Sequence, residues 1–181
     1  MDHFGGWIGS SESYLSPRAQ GQADAWSEEL SERGRSGSQR LREVTEIVPP
    51  APVAQALRIE EGGTAIVRRR VMLVDERPVE LTDSYYPAAV AAGTRLAESR
   101  KIPGGASTLL TELGYVPDEV YEDISISRAL EEEAALLDVE VGTLVVVLFR
   151  VVFAAGRVPF EASVMTMLPE GRRFRYQFKV R

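Results

Sequence analysis

The chain has 181 residues, 44% of them hydrophobic and 27% charged, with a formal net charge of −6. One domain of that size buries roughly 70% of the surface its unfolded chain would expose, and the acidic balance argues against broad nucleic-acid binding by this chain alone. There is no cysteine and one histidine, His3. That excludes disulfides, thiolate nucleophiles and Cys-ligated zinc, and it deprives a Ser-His-Asp triad or a His-based metal cluster of its central residue. Neither a metal nor a cofactor is therefore expected.

The first twenty residues contain no long apolar run, so no signal peptide is read. No stretch of ~18 apolar residues is present to span a bilayer. The expected location is cytoplasmic. Residues 1–21, MDHFGGWIGSSESYLSPRAQG, are rich in Gly and Ser and are expected to form a flexible, irregular arm. Residues 22–181 are expected to form the domain proper.

Residues 22–33 read as a helix, with Asp24 able to cap it and Gly34 stopping it. Gln39 to Val48 alternates as a strand, broken by Pro49, Pro50 and Pro52, and Val53 to Leu57 makes a short helix. Thr64 to Val74 is dense in β-branched residues. Asp75-Glu76-Arg77 forms a polar turn, and Pro78 opens a return strand in which Val79, Leu81 and Asp83 alternate with Glu80, Thr82 and Ser84. Arg68, Arg69 and Arg70 lie inside the outgoing strand. Alternation puts Arg68 and Arg70 on one face and Arg69 on the other. Unpaired buried charge is costly in such a place, so these arginines sit on a solvated or ion-paired face, or one of them awaits an anion.

After Pro87 come a small-residue helix at Ala88 to Ala92, a loop at Arg95 to Gly105 and a helix at Ala106 to Leu113. The Gly104-Gly105-Ala106-Ser107 turn at the head of that helix reads either as an anion nest or as an ordinary helix start. Val120 to Ser127 reads as a strand, and Leu130 to Leu137 as a helix with an acidic start. Thr143 to Ala154 is read as apolar on both faces and belonging in the sheet centre. Ala155-Gly156-Arg157 turns the chain into Val158 to Leu168, and Phe174 to Val180 is expected to be a last strand. The basic residues Arg172, Arg173, Arg175, Lys179 and Arg181 are read as outward charges on an edge strand. The sum is about seven strands and five short helices, an α+β domain on an antiparallel sheet with helices inserted between hairpins.

Several short motifs in this order carry a resemblance. They are the Pro-rich PPAPVAQAL segment before the arginine-bearing strand, ERPV at Glu76 to Val79, and SYYP at Ser84 to Pro87. LLTELG follows at Leu109 to Gly114, and GRVPFE at Gly156 to Glu161. In this order and spacing they resemble the UTRA domain, the effector-sensing half of the HutC-type branch of GntR-family bacterial transcription regulators. The resemblance covers residues 22–180 and implies a chorismate-lyase-like fold, a small-molecule effector, homodimerisation through this domain and no enzymatic activity. It places ligand-binding positions at Arg70, Met72, Thr82, Gly105, Ser107, Glu161 and Met167. Where family members carry a second strand arginine, an acidic residue and a tyrosine, this chain has Met72, Thr82 and Met167. With one such arginine left, a less charged and more apolar effector is expected.

The family's winged helix-turn-helix needs roughly 60 residues, and 21 precede the sensor here. DNA is therefore expected to be reached only indirectly or through a missing N-terminal domain. Two other readings stay open: a protein-interaction module that heterodimerises with a complete regulator, and an enzyme of the chorismate-lyase type.

Overall fold

The computed structural model describes residues 7–9, 11–19, 22–176 and 179. Among these residues, eight strands run β1 Trp7–Gly9, β2 Gly37–Ile47, β3 Ala65–Val74, β4 Arg77–Pro87, β5 Glu119–Arg128, β6 Leu144–Ala154, β7 Val158–Met167 and β8 Arg172–Phe174. Six helices run α1 Glu12–Leu15, α2 Ala25–Ser31, α3 Ala51–Leu57, α4 Ala88–Ala91, α5 Gly105–Glu112 and α6 Glu131–Leu137, with a 3-10 turn at Arg95–Ala97. Six strands form one antiparallel sheet in the order β2-β3-β4-β7-β6-β5, and β1 and β8 pair parallel apart from it. The fold is α+β on an antiparallel sheet, as the alternation of hairpins and short helices implies.

Local chemistry explains the boundaries. Asp24 caps α2 by accepting from the Ser27 backbone N–H at 3.0 Å, and α3 starts behind Pro50 with Pro52 in its first turn. The β3–β4 hairpin turns on two residues, Asp75 and Glu76, both at positive φ (48° and 66°). That is the geometry whose twist suits a two-residue loop, here without glycine. The β6–β7 turn uses Gly156 and Arg157 at φ 73° and 58°.

Register divides the sheet into two faces. On one face, Val67, Val71, Leu81, Tyr85, Val145, Val151 and Ala162 are buried with Val53 and Leu57 of α3 and with Ala134 and Leu137 of α6. On the other face, apolar clusters occupy the two ends. At one end Tyr86, Ile66 and Val152 pack with Leu109 and Leu110 of α5. At the opposite end Met72 and Val74 pack with Trp26 and Leu30 of α2, and Val146, Leu148, Met165 and Met167 form a further group. A polar zone lies between these ends.

The structure differs from the sequence reading at four places. The 144–154 strand is not at the sheet centre: β4 and β7 are, and β6 lies one strand from the edge. Its run is not apolar on both faces either, because Arg150 interrupts it and is buried. The last strand is shorter and earlier than Phe174 to Val180: β8 ends at Phe174 and pairs with β1, and part of the expected strand lies outside the described residues. Arg172 does not point outward. Its side chain is buried, reaches Glu80 at 2.8 Å and lies 5.6 Å from the Trp26 ring centroid, because β8 runs over the sheet face rather than along its edge. Within 1–21, expected to be irregular, the described residues contain β1 and α1; His3 lies outside them, as does Arg181.

Candidate effector cleft

Three neighbouring register rows build the floor of one cleft. Arg70 on β3 pairs with Thr82 on β4, then Met165 on β7 and Leu148 on β6. One row over lie Met72, Glu80, Met167 and Val146. On the other side lie Arg68, Ser84, Ser163, Arg150 and Glu122. Period-two alternation brings these residues to one face. The cover consists of α2, the N-terminal part of α5, and segments from both chain ends, including Tyr14, Arg18, Phe174 and Arg175. The enclosed volume is about 570 Å³, within the range of sites that take a small metabolite.

All seven residues singled out from the sequence line this cleft: Arg70, Met72, Thr82, Gly105, Ser107, Glu161 and Met167. The three successive arginines have three separate fates. Arg68 is buried and donates to the carbonyls of Leu96, Glu98 and Arg100, each at 2.8 Å. Burial pushes its pKa down, against the pull of Tyr86 and Glu98. Arg69, on the α3/α6 face, lies 3.5 Å from Glu43 and 3.4 Å from Asp83. Burial nevertheless holds the Asp83 carboxyl above its usual range, against the pull of Arg69. Arg70 forms no ion pair among the described residues. Its Nη2 donates to Ser84 Oγ at 2.8 Å, and its buried Nε has no partner.

From Arg70 a hydrogen-bond chain crosses the floor. Ser84 Oγ and Ser163 Oγ are 3.0 Å apart, and Ser163 Oγ donates to Glu161 Oε1 at 3.0 Å. Because Ser163 spends its proton on Glu161 and Ser84 accepts from Arg70, Ser84 is the donor between the two serines. Cation and carboxylate thus communicate through two hydroxyls instead of touching. Glu80 is engaged separately, by Arg172 and by Thr82 Oγ1 at 2.8 Å. Tyr86 is fully buried; burial, with the Glu161 carboxylate nearby, drives its pKa upward, so its hydroxyl remains a neutral donor. The head of α5 begins at Gly104 and Gly105, both at positive φ (76° and 83°), and no side chain caps it. The Gly105 N–H donates to the Ile102 carbonyl at 3.0 Å, and the helix dipole at this end favours negative charge.

The sequence reading missed Arg150 and the cover. Arg150 lines the cleft from within a run of valines and leucine. A single charge in such a run was the available signal. The cover comes from residues distant in sequence and had no local signature. Among the described residues no group of three or more His, Cys, Asp or Glu is arranged to hold a metal. No helix among them is long and apolar enough to cross a membrane.

The six-stranded antiparallel sheet with its short helices is shared with solved domains of GntR-type regulators. The effector domain of PhnF from Mycobacterium smegmatis superposes with a TM-score of 0.74 at 20% identity, over 91% of this chain and 99% of that one. The ligand-binding domain of a GntR-family regulator from Bordetella bronchiseptica gives 0.70 at 22% identity, over 91% and 95%. At those identities the likeness concerns the fold. The family follows from the sequence: the UTRA domain model matches residues 32–171, and the chain belongs to the UTRA domain family. An uncharacterized HTH-type transcriptional regulator of Streptomyces coelicolor is 28% identical over 146 residues, 79% of this chain and 54% of that protein. The chain thus spans about half the length of this relative.

Proposed function

We propose that this chain is the small-molecule effector module of a GntR-type transcription regulator, taking an acidic metabolite into the cleft. The observation that carries this reading is Arg70: a cation on the cleft floor, bonded to a serine and, among the described residues, to no carboxylate. Arg70 anchors an acidic group, and Ser107 and the α5 amides assist. Glu161 accepts from ligand hydroxyls, while Met72, Met165 and Met167 shape the apolar side. DNA is reached indirectly, through a helix-turn-helix of the kind named in the Streptomyces relative.

The signal passes by population shift, the ligand favouring one arrangement of a homodimer. The outer strand β5 supports a second copy as partner. It is one of the two edge strands of the sheet and exposes Val120, Tyr121, Ile124 and Ile126, and such edges invite strand pairing.

The test combines calorimetric and thermal-shift titration across a panel of acidic metabolites with light scattering at micromolar concentration. The expected outcome is a dimer and a ligand-induced rise in Tm. Arg70→Ala is expected to weaken binding by on the order of 10- to 100-fold, the worth of a charge-assisted pair. A monomer without any shift across the panel would refute the proposal.

A further inference from the structure

Arg150 is a buried charge whose partner the fold does not supply among the described residues. It is 8% exposed, and its Nε is buried without a hydrogen bond. Among the described residues, no carboxylate forms an ion pair with it. Its register neighbours are Ser163 on β7 and Glu122 on β5. Both are engaged elsewhere, Ser163 as donor to Glu161 and Glu122 as acceptor from Ser11 Oγ. The contrast with other arginines near the sheet is direct: Arg68 has three carbonyls, Arg69 two carboxylates, and Arg172 has Glu80.

Its neighbours along the same face are Leu148 and Val152, both buried, so an aliphatic residue would suit the position structurally. A guanidinium offers five donors, and keeping one buried and unpaired costs stability. Such a cost is understandable when the partner arrives with the ligand. Resting on the effector reading of the cleft, we infer that Arg150 is a second anion anchor and that the bound molecule carries two negative charges, one met at Arg70 and one at Arg150.

Geometry sets the spacing. Arg70 on β3 and Arg150 on β6 have β4 and β7 between them, and strand spacing puts roughly 14 Å between their backbones. The Arg70 head is drawn inward over β4 by its bond to Ser84. Glu161 and the two serines lie between the two cations. This arrangement places hydroxyl recognition between two charge-binding ends. It also reverses the expectation of a less charged effector, because the second cation comes from the second hairpin instead of the first.

The experiment titrates the chain by calorimetry and thermal shift with glutarate, adipate, butyrate and doubly charged inorganic phosphate at matched ionic strength. The dianions are expected to bind on the order of 10-fold or more tightly than butyrate, the worth of one charge-assisted interaction. Arg150→Gln is expected to erase that preference, and Arg70→Gln to weaken binding of the dianions. A preference for the dicarboxylates identifies two separate acidic groups and supports the inference; one confined to phosphate puts both charges on a single group and overturns it. Ligand-free Arg150→Met is expected to melt at or above the wild-type temperature, which checks that the fold survives. Butyrate binding as tightly as the dianions, or a dianion preference surviving Arg150→Gln, overturns the inference. So does the absence of any shift with all four probes. An Arg70-dependent shift elsewhere in a wider metabolite panel would then leave the effector reading standing without it.

Discussion

On one face of the six-stranded sheet, Val67, Val71, Leu81, Tyr85, Val145 and Val151 are closed off by α3 and α6. On the other, the intervening residues of the same strands put Arg68, Arg70, Glu80, Thr82, Ser84, Arg150, Glu161 and Ser163 around a cleft, all buried except the half-buried Arg70. The first face is a surface whose burial stabilises the fold at roughly 25 cal/mol per Å². The second buries polar groups that stabilise it only as far as they find partners. The contrast separates two tasks that share one backbone: one face holds the sheet, and the other, on the proposed reading, holds charge for a ligand.

The comparison can be tested from the largest expected effect down. Leu137→Ala, on the α6 side and 2% exposed, is expected to lower unfolding free energy by about 4 kcal/mol, within the range for fully buried leucines, as read by urea denaturation. Arg68→Met is expected to cost about 3 kcal/mol, since three carbonyls lose their donor together. A cost under about 1 kcal/mol would show that water replaces Arg68 and that the polar face contributes no rigidity. Met167→Leu, a volume-conserving change on the cleft floor, is expected to cost under about 1.5 kcal/mol while altering ligand affinity, which separates the two tasks at one position.

The smallest effect concerns the cover. Asp24→Ala removes the α2 cap and is expected to cost about 1 kcal/mol. Burial raises the Asp24 pKa, but hydrogen bonds from Ser27 and Lys101 outweigh it and the net shift is downward. A carboxyl lowered in the folded state contributes stability above its unfolded value and loses it as pH falls through the folded one. The difference between wild type and Asp24→Ala should therefore narrow below about pH 4, in thermal melts across an acid series.

How legible all this was depended on the range of the interactions. The β3–β4 hairpin could be read because turn chemistry and period-two alternation are local, and Pro78 fixed the phase that singled out Arg70. The helices at 25–31, 105–112 and 131–137 were marked by Asp24, by glycines at both ends of α5, and by three glutamates at the head of α6. Arg150 was passed over because an apolar run of eleven residues outweighs one charge when judged by composition; only register against Ser163 and Glu122 reveals where that charge sits. The strand order was hidden for the same reason. Which hairpin lies beside which is decided by pairing β4 with β7 across some eighty residues, and no local signal encodes it. The pairing of β1 with β8 joins opposite ends of the chain and is equally silent in the sequence.

The hydrogen bonds of Arg68 have a consequence for how the cleft wall moves. Residues 96–100 curl three carbonyl dipoles around a fixed positive centre, much as oxygen ligands wrap a metal ion. Here the ion is tethered to β3, so no chelator removes it, and its burial shelters it from the salt that weakens exposed pairs. The loop that leads into α5 is therefore anchored to the sheet by an electrostatic rivet. A ligand that draws α5 inward must bend the chain beyond that rivet, between Lys101 and Gly105, where two left-handed glycines provide the pivot.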